Sequence, residues 1–105
     1  MIPIRHKYLN KPTDVDGVKF PSKLEARYYK HLLEEQSDGR NIFFLRQVPF
    51  HLPDNTKYIV DFVVFASDGT VHFIDTKGFE TKEFILKKKW VESIYPVEIE
   101  VIKKW

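Results

Sequence analysis

Apolar positions along the chain fall into stretches of two kinds, some alternating and some spaced for a helix. Tyr58 to Phe65 and Val71 to Lys77 are rich in β-branched and aromatic residues and are separated by Ser67-Asp68-Gly69, so they predict two antiparallel strands joined as a hairpin. Each run carries one acid, Asp61 and Asp75. A two-residue turn on Asp68-Gly69 would set Asp61 opposite Thr76 and leave the two aspartates on opposite faces. A three-residue loop, with Gly69 left-handed after a type I turn, sets Asp61 across from Asp75 with Cβ atoms about 5 Å apart. The three-residue loop is the expected one, and Lys77 then shares the face of both acids.

The other elements follow in order. Residues 1 to 20 alternate basic residues with Tyr8, Leu9, Val15, Val18 and Phe20, and predict an extended arm in which Asp16-Gly17 turns a short hairpin. Such an arm could lie along DNA or a partner subunit, or cover the core as a flap. A helix is expected from Ser22, its N-cap, to Ser37, ended by Asp38-Gly39. Ser22-Lys23-Leu24-Glu25 fits a capping box, in which Glu25 would reach back to the Ser22 backbone. Yet Leu24, Tyr28, Tyr29, Leu32 and Leu33 form one stripe at about 100° per residue, with Glu25 near its middle. A carboxylate on a core face is costly without a partner, which favours a functional Glu25.

Ile42 to Leu52 reads as a strand, with Pro49 pointing to an edge or a bulge, and residues 53 to 56 as a turn. The Asp61 strand is apolar on both faces, Ile59, Val63 and Phe65 on one and Val60, Phe62 and Val64 on the other, so it should be covered on both sides. After Gly78 a second helix is expected from Glu80 to Ile94, with Phe84, Trp90, Val91 and Ile94 facing inward, Lys88 and Lys89 outward, and Lys87 on the rim beside Glu83. Pro96 ends it, and residues 97 to 102 alternate as a last strand. A helix between two strands implies a right-handed crossover and a parallel pair, hence an α/β fold with a mixed sheet.

With 105 residues the expectation is one domain, residues 1 to 105. No apolar run approaches the roughly 20 residues of a membrane span, and the first residues lack a signal peptide's apolar core. There is no Cys, which excludes disulfides, thiolate zinc sites and a Cys nucleophile and suits a cytoplasmic location. The net charge of +2 is small, but residues 1 to 31 hold seven Lys or Arg against three acids, and residues 77 to 90 hold five against two. Two basic zones around an acidic centre suit a polyanion approaching a metal; they would also serve as plain solvated faces.

Two half-buried carboxylates so close cannot both stay ionised without a compensating charge. Mg²⁺ supplies it, taking one or two carboxylates and keeping waters and phosphate oxygens as its other ligands. The plainer alternative is that Asp61 and Asp75 mark strand ends or pair with surface lysines.

In element order, and in Glu25, Val60-Asp61-Phe62 and Asp75-Thr76-Lys77, the chain from Ser22 onward resembles the PD-(D/E)XK nuclease superfamily, whose minimal core is αβββαβ. Within it, the chain looks most like small phage and prophage endonucleases, including the endonuclease I type that resolves Holliday junctions. Val15-Asp16-Gly17-Val18-Lys19-Phe20-Pro21-Ser22-Lys23-Leu24-Glu25-Ala26 matches the V-D-G-x-x-F-x-S-K-x-E-A pattern of a phage and prophage family, and Gln47 matches a Gln upstream of the metal aspartate in related nucleases. Val60 stands where the superfamily name has Pro.

The resemblance implies a restriction-endonuclease-like core and Mg²⁺- or Mn²⁺-dependent hydrolysis of DNA, with no small-molecule cofactor, in the host cytoplasm if the chain is phage-encoded. Asp61, Asp75 and the Thr76 carbonyl would hold the metal, with Glu25 directly or through water, and Lys77 would position the attacking water. Lys7, Lys11, Lys23, Gln47, Lys82, Lys87 and Lys88 are candidate DNA contacts, and a homodimer would suit cleavage of two strands. The rival expectations are a catalytically idle nuclease fold serving in DNA binding or assembly, and a structural protein with a capping Glu25 and a two-residue hairpin.

Overall fold

The computed structural model describes residues 13–105, in which the apolar pattern becomes β1 (Thr13–Val15), β2 (Val18–Phe20), α1 (Lys23–Ser37), β3 (Asn41–Leu52), β4 (Thr56–Ala66), β5 (Val71–Thr76), α2 (Lys82–Ile94) and β6 (Ile99–Ile102). Asp16 and Gly17 both have positive φ, 52° and 79°, the backbone of a two-residue hairpin turn. The β1–β2 hairpin covers the core, since Val15 and Phe20 are buried in it. For residues 13 to 20, then, the expected arm is a flap; Lys7 and Lys11 lie outside the described residues.

Ser22 is extended and its Oγ accepts the Glu25 N–H at 3.1 Å, which fixes where α1 begins. Gly39, at φ 81°, ends the helix in the left-handed conformation. The β4–β5 hairpin has the predicted register: Phe62 pairs with Ile74, Val63 with Phe73, Val64 with His72 and Phe65 with Val71. Its loop is Ser67-Asp68-Gly69, with Gly69 at φ 92°, its N–H on the Ala66 carbonyl at 3.1 Å, and the Ala66 N–H on the Thr70 carbonyl at 2.9 Å. The Asp68 carboxylate secures the turn from the Thr70 N–H at 2.9 Å and hydroxyl at 2.6 Å.

The main sheet runs β3-β4-β5-β6, antiparallel except for the parallel β5–β6 pair joined through α2. This is an α/β fold with a mixed sheet, and β3, which carries Pro49, is an edge strand as Pro49 suggested. Two apolar clusters sandwich the sheet. Ala26, Tyr28 and Leu32 of α1 pack on Phe20, Phe62, Val64 and Ile74 on one side. Val91 of α2 packs on Leu52, Tyr58, Val60, Val63 and Ile99 on the other.

The strand is covered on both sides as expected, but its faces are assigned differently. Val60 shares a cluster with Val63, not with Phe62 and Val64. On β3 the same reversal occurs, for Phe44 packs with the α1 cluster and Val48 and Phe50 with the α2 cluster. Between them Gln47 takes a left-handed backbone, φ 53°, which interrupts the pleat opposite Asp61.

Helix α2 departs further from expectation. It starts at Lys82 with Thr81 as N-cap, and β6 starts at Ile99. Val91 is buried and Phe84 half-buried, but Trp90 and Ile94 are exposed instead of facing inward. The sheet-facing line runs through Phe84, Val91 and Tyr95, and Trp90 sits about 100° around the helix from Val91. Among the described residues, no helix is long and apolar enough to cross a membrane.

Candidate functional site

The β4–β5 ladder gives way to side chains just past the Phe62–Ile74 pair. There the Asp61 N–H donates to Asp75 Oδ1 at 2.9 Å, while the Thr76 N–H and hydroxyl both donate to Asp61 Oδ2 at 2.9 Å. Each aspartate therefore takes a backbone amide of the opposite strand where a carbonyl would normally stand, and the two carboxylates sit side by side in the fork. The buried Tyr58 hydroxyl donates to Asp75 Oδ2. Asp75 is 2% exposed, and its burial, reinforced by the Asp61 charge and opposed by the Tyr58 hydrogen bond, pushes its carboxyl up to about 6. Burial above all holds the Tyr58 hydroxyl far above the usual phenol range, so it acts as a donor.

Glu25 reaches the fork from α1. Its backbone N–H is capped by Ser22, yet its carboxylate accepts the Gln47 side-chain amide at 3.1 Å, so the capping and functional readings each describe part of the residue. The same Gln47 nitrogen lies 3.4 Å from Asp61 Oδ1 and bridges the two acids. Glu25 is 3% exposed, and burial first, then the Asp61 charge, push its carboxyl up to about 7. Arg46 opposes that shift from 3.8 Å, its guanidinium 4.3 Å from the Phe20 ring centre and its Nε buried without a hydrogen-bond partner among the described residues.

Asp61, Asp75 and Lys77 line one cleft of about 240 Å³, with Tyr58, Phe84 and Lys87 among its walls. Lys77 Nζ lies 5.2 Å from the Phe84 ring centre. Among the candidate DNA contacts, Lys23 and Lys82 are exposed, and Lys87 is 3.8 Å from Glu83 at the cleft. Lys88 is a correction: it is half-buried and pairs with Glu92 at 3.1 Å, while Glu92 also accepts the Ile99 N–H at 2.7 Å. Glu92 thus joins α2 to β6, and the lysine paired with it does not project outward. Tyr58 and Arg46 were not anticipated, because nothing in their spacing distinguishes them from ordinary strand residues.

A family model described as "Protein of unknown function (DUF1064)" matches residues 5–105. The chain belongs to the DUF1064 family. No curated protein and no solved structure matches it.

Whether the DUF1064 site suits a divalent cation turns on its acceptors. Among the described residues, no three His, Asp or Glu side chains are grouped to hold a metal, and Glu25 is joined to Asp61 through Gln47. An ionised carboxylate offers roughly four acceptor positions. The hydrogen bonds described leave about one on Asp61 and about two on Asp75. Two hard oxygen donors with spare lone pairs, of which Asp75 is buried against the Asp61 charge, fit Mg²⁺, which needs few protein ligands.

Proposed function

We propose that this chain is a metal-dependent endodeoxyribonuclease that hydrolyses DNA phosphodiesters, with branched DNA as its substrate. The observation that carries the reading is the reciprocal lock of Asp61 and Asp75 at the strand fork, opening with Lys77 into one cleft. The αβββαβ order from Lys23 onward supports it. Asp61 and Asp75 would hold Mg²⁺ or Mn²⁺, which when bound supplies a water of lowered pKa and positive charge at the phosphate.

The chain's own groups do the rest. Tyr58 and the Asp61 N–H fix both oxygens of Asp75, and Thr76 fixes Asp61, so the donors are preorganised. Lys77, in the same cleft as the two aspartates, positions the attacking water and stabilises negative charge in the transition state. Glu25 acts through Gln47 on the orientation of Asp61. Lys23 and Lys82 are the exposed phosphate contacts among the described candidates, and a homodimer would place two such sites on one branched substrate.

A second reading, a catalytically idle nuclease fold that binds DNA, is favoured by one feature: Glu25 is held by Gln47 and does not join the aspartates around a single point. One experiment separates them. The protein is incubated with Mg²⁺ and a panel of branched and linear DNAs, beside Asp75→Asn and Lys77→Ala. Nicking that needs Mg²⁺ and disappears in both variants, with fold and DNA binding kept, supports hydrolysis; cleavage retained in Asp75→Asn, or none by the parent protein, refutes it.

A further inference from the structure

Helix α2 exposes an apolar stripe that the catalytic reading leaves unused. Leu86 is 68% exposed, Trp90 36% and Ile94 46%, and at about 100° per residue the three cover about 80° of the helix, centred about 100° from buried Val91. Lys82 and Lys89, both exposed, border the stripe on one side and Lys87 on the other. Glu83 falls within the same arc one turn before Leu86, and it is 3.8 Å from Lys87.

The stripe is continuous with the acid cleft. Leu86 and Trp90 form one shallow surface with Glu83 and Lys87, and those same two residues line the cleft that holds Asp61, Asp75 and Lys77. A flat indole flanked by lysines, one helical turn from a phosphate-handling cleft, suits a base that has left its duplex. Stacking on an aromatic ring accepts any base, and the lysines take the neighbouring phosphates. A duplex hides the faces of its bases, so this surface separates unpaired DNA from paired.

We propose that Trp90 and Leu86 form a stacking platform for an unpaired nucleobase of a DNA strand whose backbone continues across Lys87 into the acid cleft. The platform rests on the nuclease reading for the direction of that strand, and it narrows the substrate to DNA with a single-stranded segment beside the cut.

The test uses the full chain in EDTA, so that binding is read without cleavage, with Trp105→Phe leaving Trp90 as the sole indole. Thymidine oligonucleotides of about 12 residues and blunt duplexes are titrated against Trp90 emission at two salt concentrations, with sedimentation in parallel. The expected result is quenching by the single strand and not by the duplex, weakened by salt. With affinity read in the variants from the anisotropy of a dye-labelled oligonucleotide, Trp90→Ala, or Leu86→Ser should the first variant fold poorly, loses about tenfold in single-strand affinity, whereas Trp90→Phe keeps most of it.

Equal quenching by duplex, or unchanged affinity in the folded Trp90→Ala or Leu86→Ser protein, overturns the platform. Concentration-dependent self-association that Leu86→Ser abolishes, without selective quenching, also overturns it and gives the stripe to a second copy of the chain. Selective quenching without Mg²⁺-dependent cleavage keeps the platform and sinks hydrolysis; cleavage without selective quenching does the reverse.

Discussion

Glu25→Gln is the sharpest perturbation of the acid cluster, because it removes a charge and almost no volume. Burial and Asp61 raise the Glu25 carboxyl from its ordinary 4.5 to about 7. At about 1.4 kcal/mol per pH unit, keeping the group ionised in the fold costs about 3 kcal/mol at alkaline pH. Because the folded value is the raised one, the favourable contribution of the neutral acid is fully present below about 4.5 and is lost as the pH rises through about 7. Parent stability in EDTA should therefore fall across that window. Glu25→Gln is neutral throughout and can still accept the Gln47 amide, so it should keep only the smaller fall that Asp75 contributes below about pH 6 and exceed the parent at pH 8 by about 2 to 3 kcal/mol. Urea unfolding followed by circular dichroism, from pH 4.5 to 8.5 in EDTA, reads the difference. Equal pH dependence in the two proteins, or a Glu25→Gln protein weaker than the parent at pH 8, would refute this account of the cluster.

Tyr58→Phe removes the hydroxyl that holds Asp75 Oδ2. The Mg²⁺ concentration for half-maximal cleavage should rise about tenfold with the saturated rate kept, and an unchanged requirement in a Mg²⁺ titration would mean the hydroxyl orients nothing that binds metal. Gln47→Gly suits the left-handed backbone at φ 53° and should stay within about 1 kcal/mol of the parent in urea. Gln47→Val, branched at the same φ, should lose about 1 to 3 kcal/mol more, and equal stabilities of the two variants would show that this backbone is not under constraint.

The hairpin register was legible because its loop left two options, and Ser67-Asp68-Gly69 favoured the one that the left-handed Gly69 adopts. The limits of α1 were legible for a similar reason: Ser22 and Gly39 are local signals whose chemistry does not depend on what packs around them. Glu25 was found because a carboxylate inside an apolar stripe conflicts with burial unless something receives it. What received it was Gln47, 22 positions away, and no local pattern carries a pairing at that range. The exposure of Trp90 was illegible for the opposite reason. An apolar residue at helical spacing reads as core, and only the sheet-facing line through Phe84 and Val91 shows that this helix has a second apolar side.

The reversal of faces at Gln47 and Asp61 explains how so small a sheet gathers these groups. In an unbroken pleat Tyr58 would lie on the same side as Phe62, beneath α1, and its hydroxyl would be across the sheet from Asp75. The left-handed Gln47 instead lets Tyr58 and Val60 fall beneath α2. There the phenol reaches Asp75, while Phe62, two residues beyond Val60, packs beneath α1 near Glu25's helix. Asp61 stands at the crossing, with its backbone N–H on Asp75, one oxygen on Thr76 and the other toward the Gln47 amide that also holds Glu25. One local break shared by β3 and β4 thus accounts for Tyr58 and Phe62 serving opposite layers, and Gln47, which sits at the break, stands between Glu25 and Asp61.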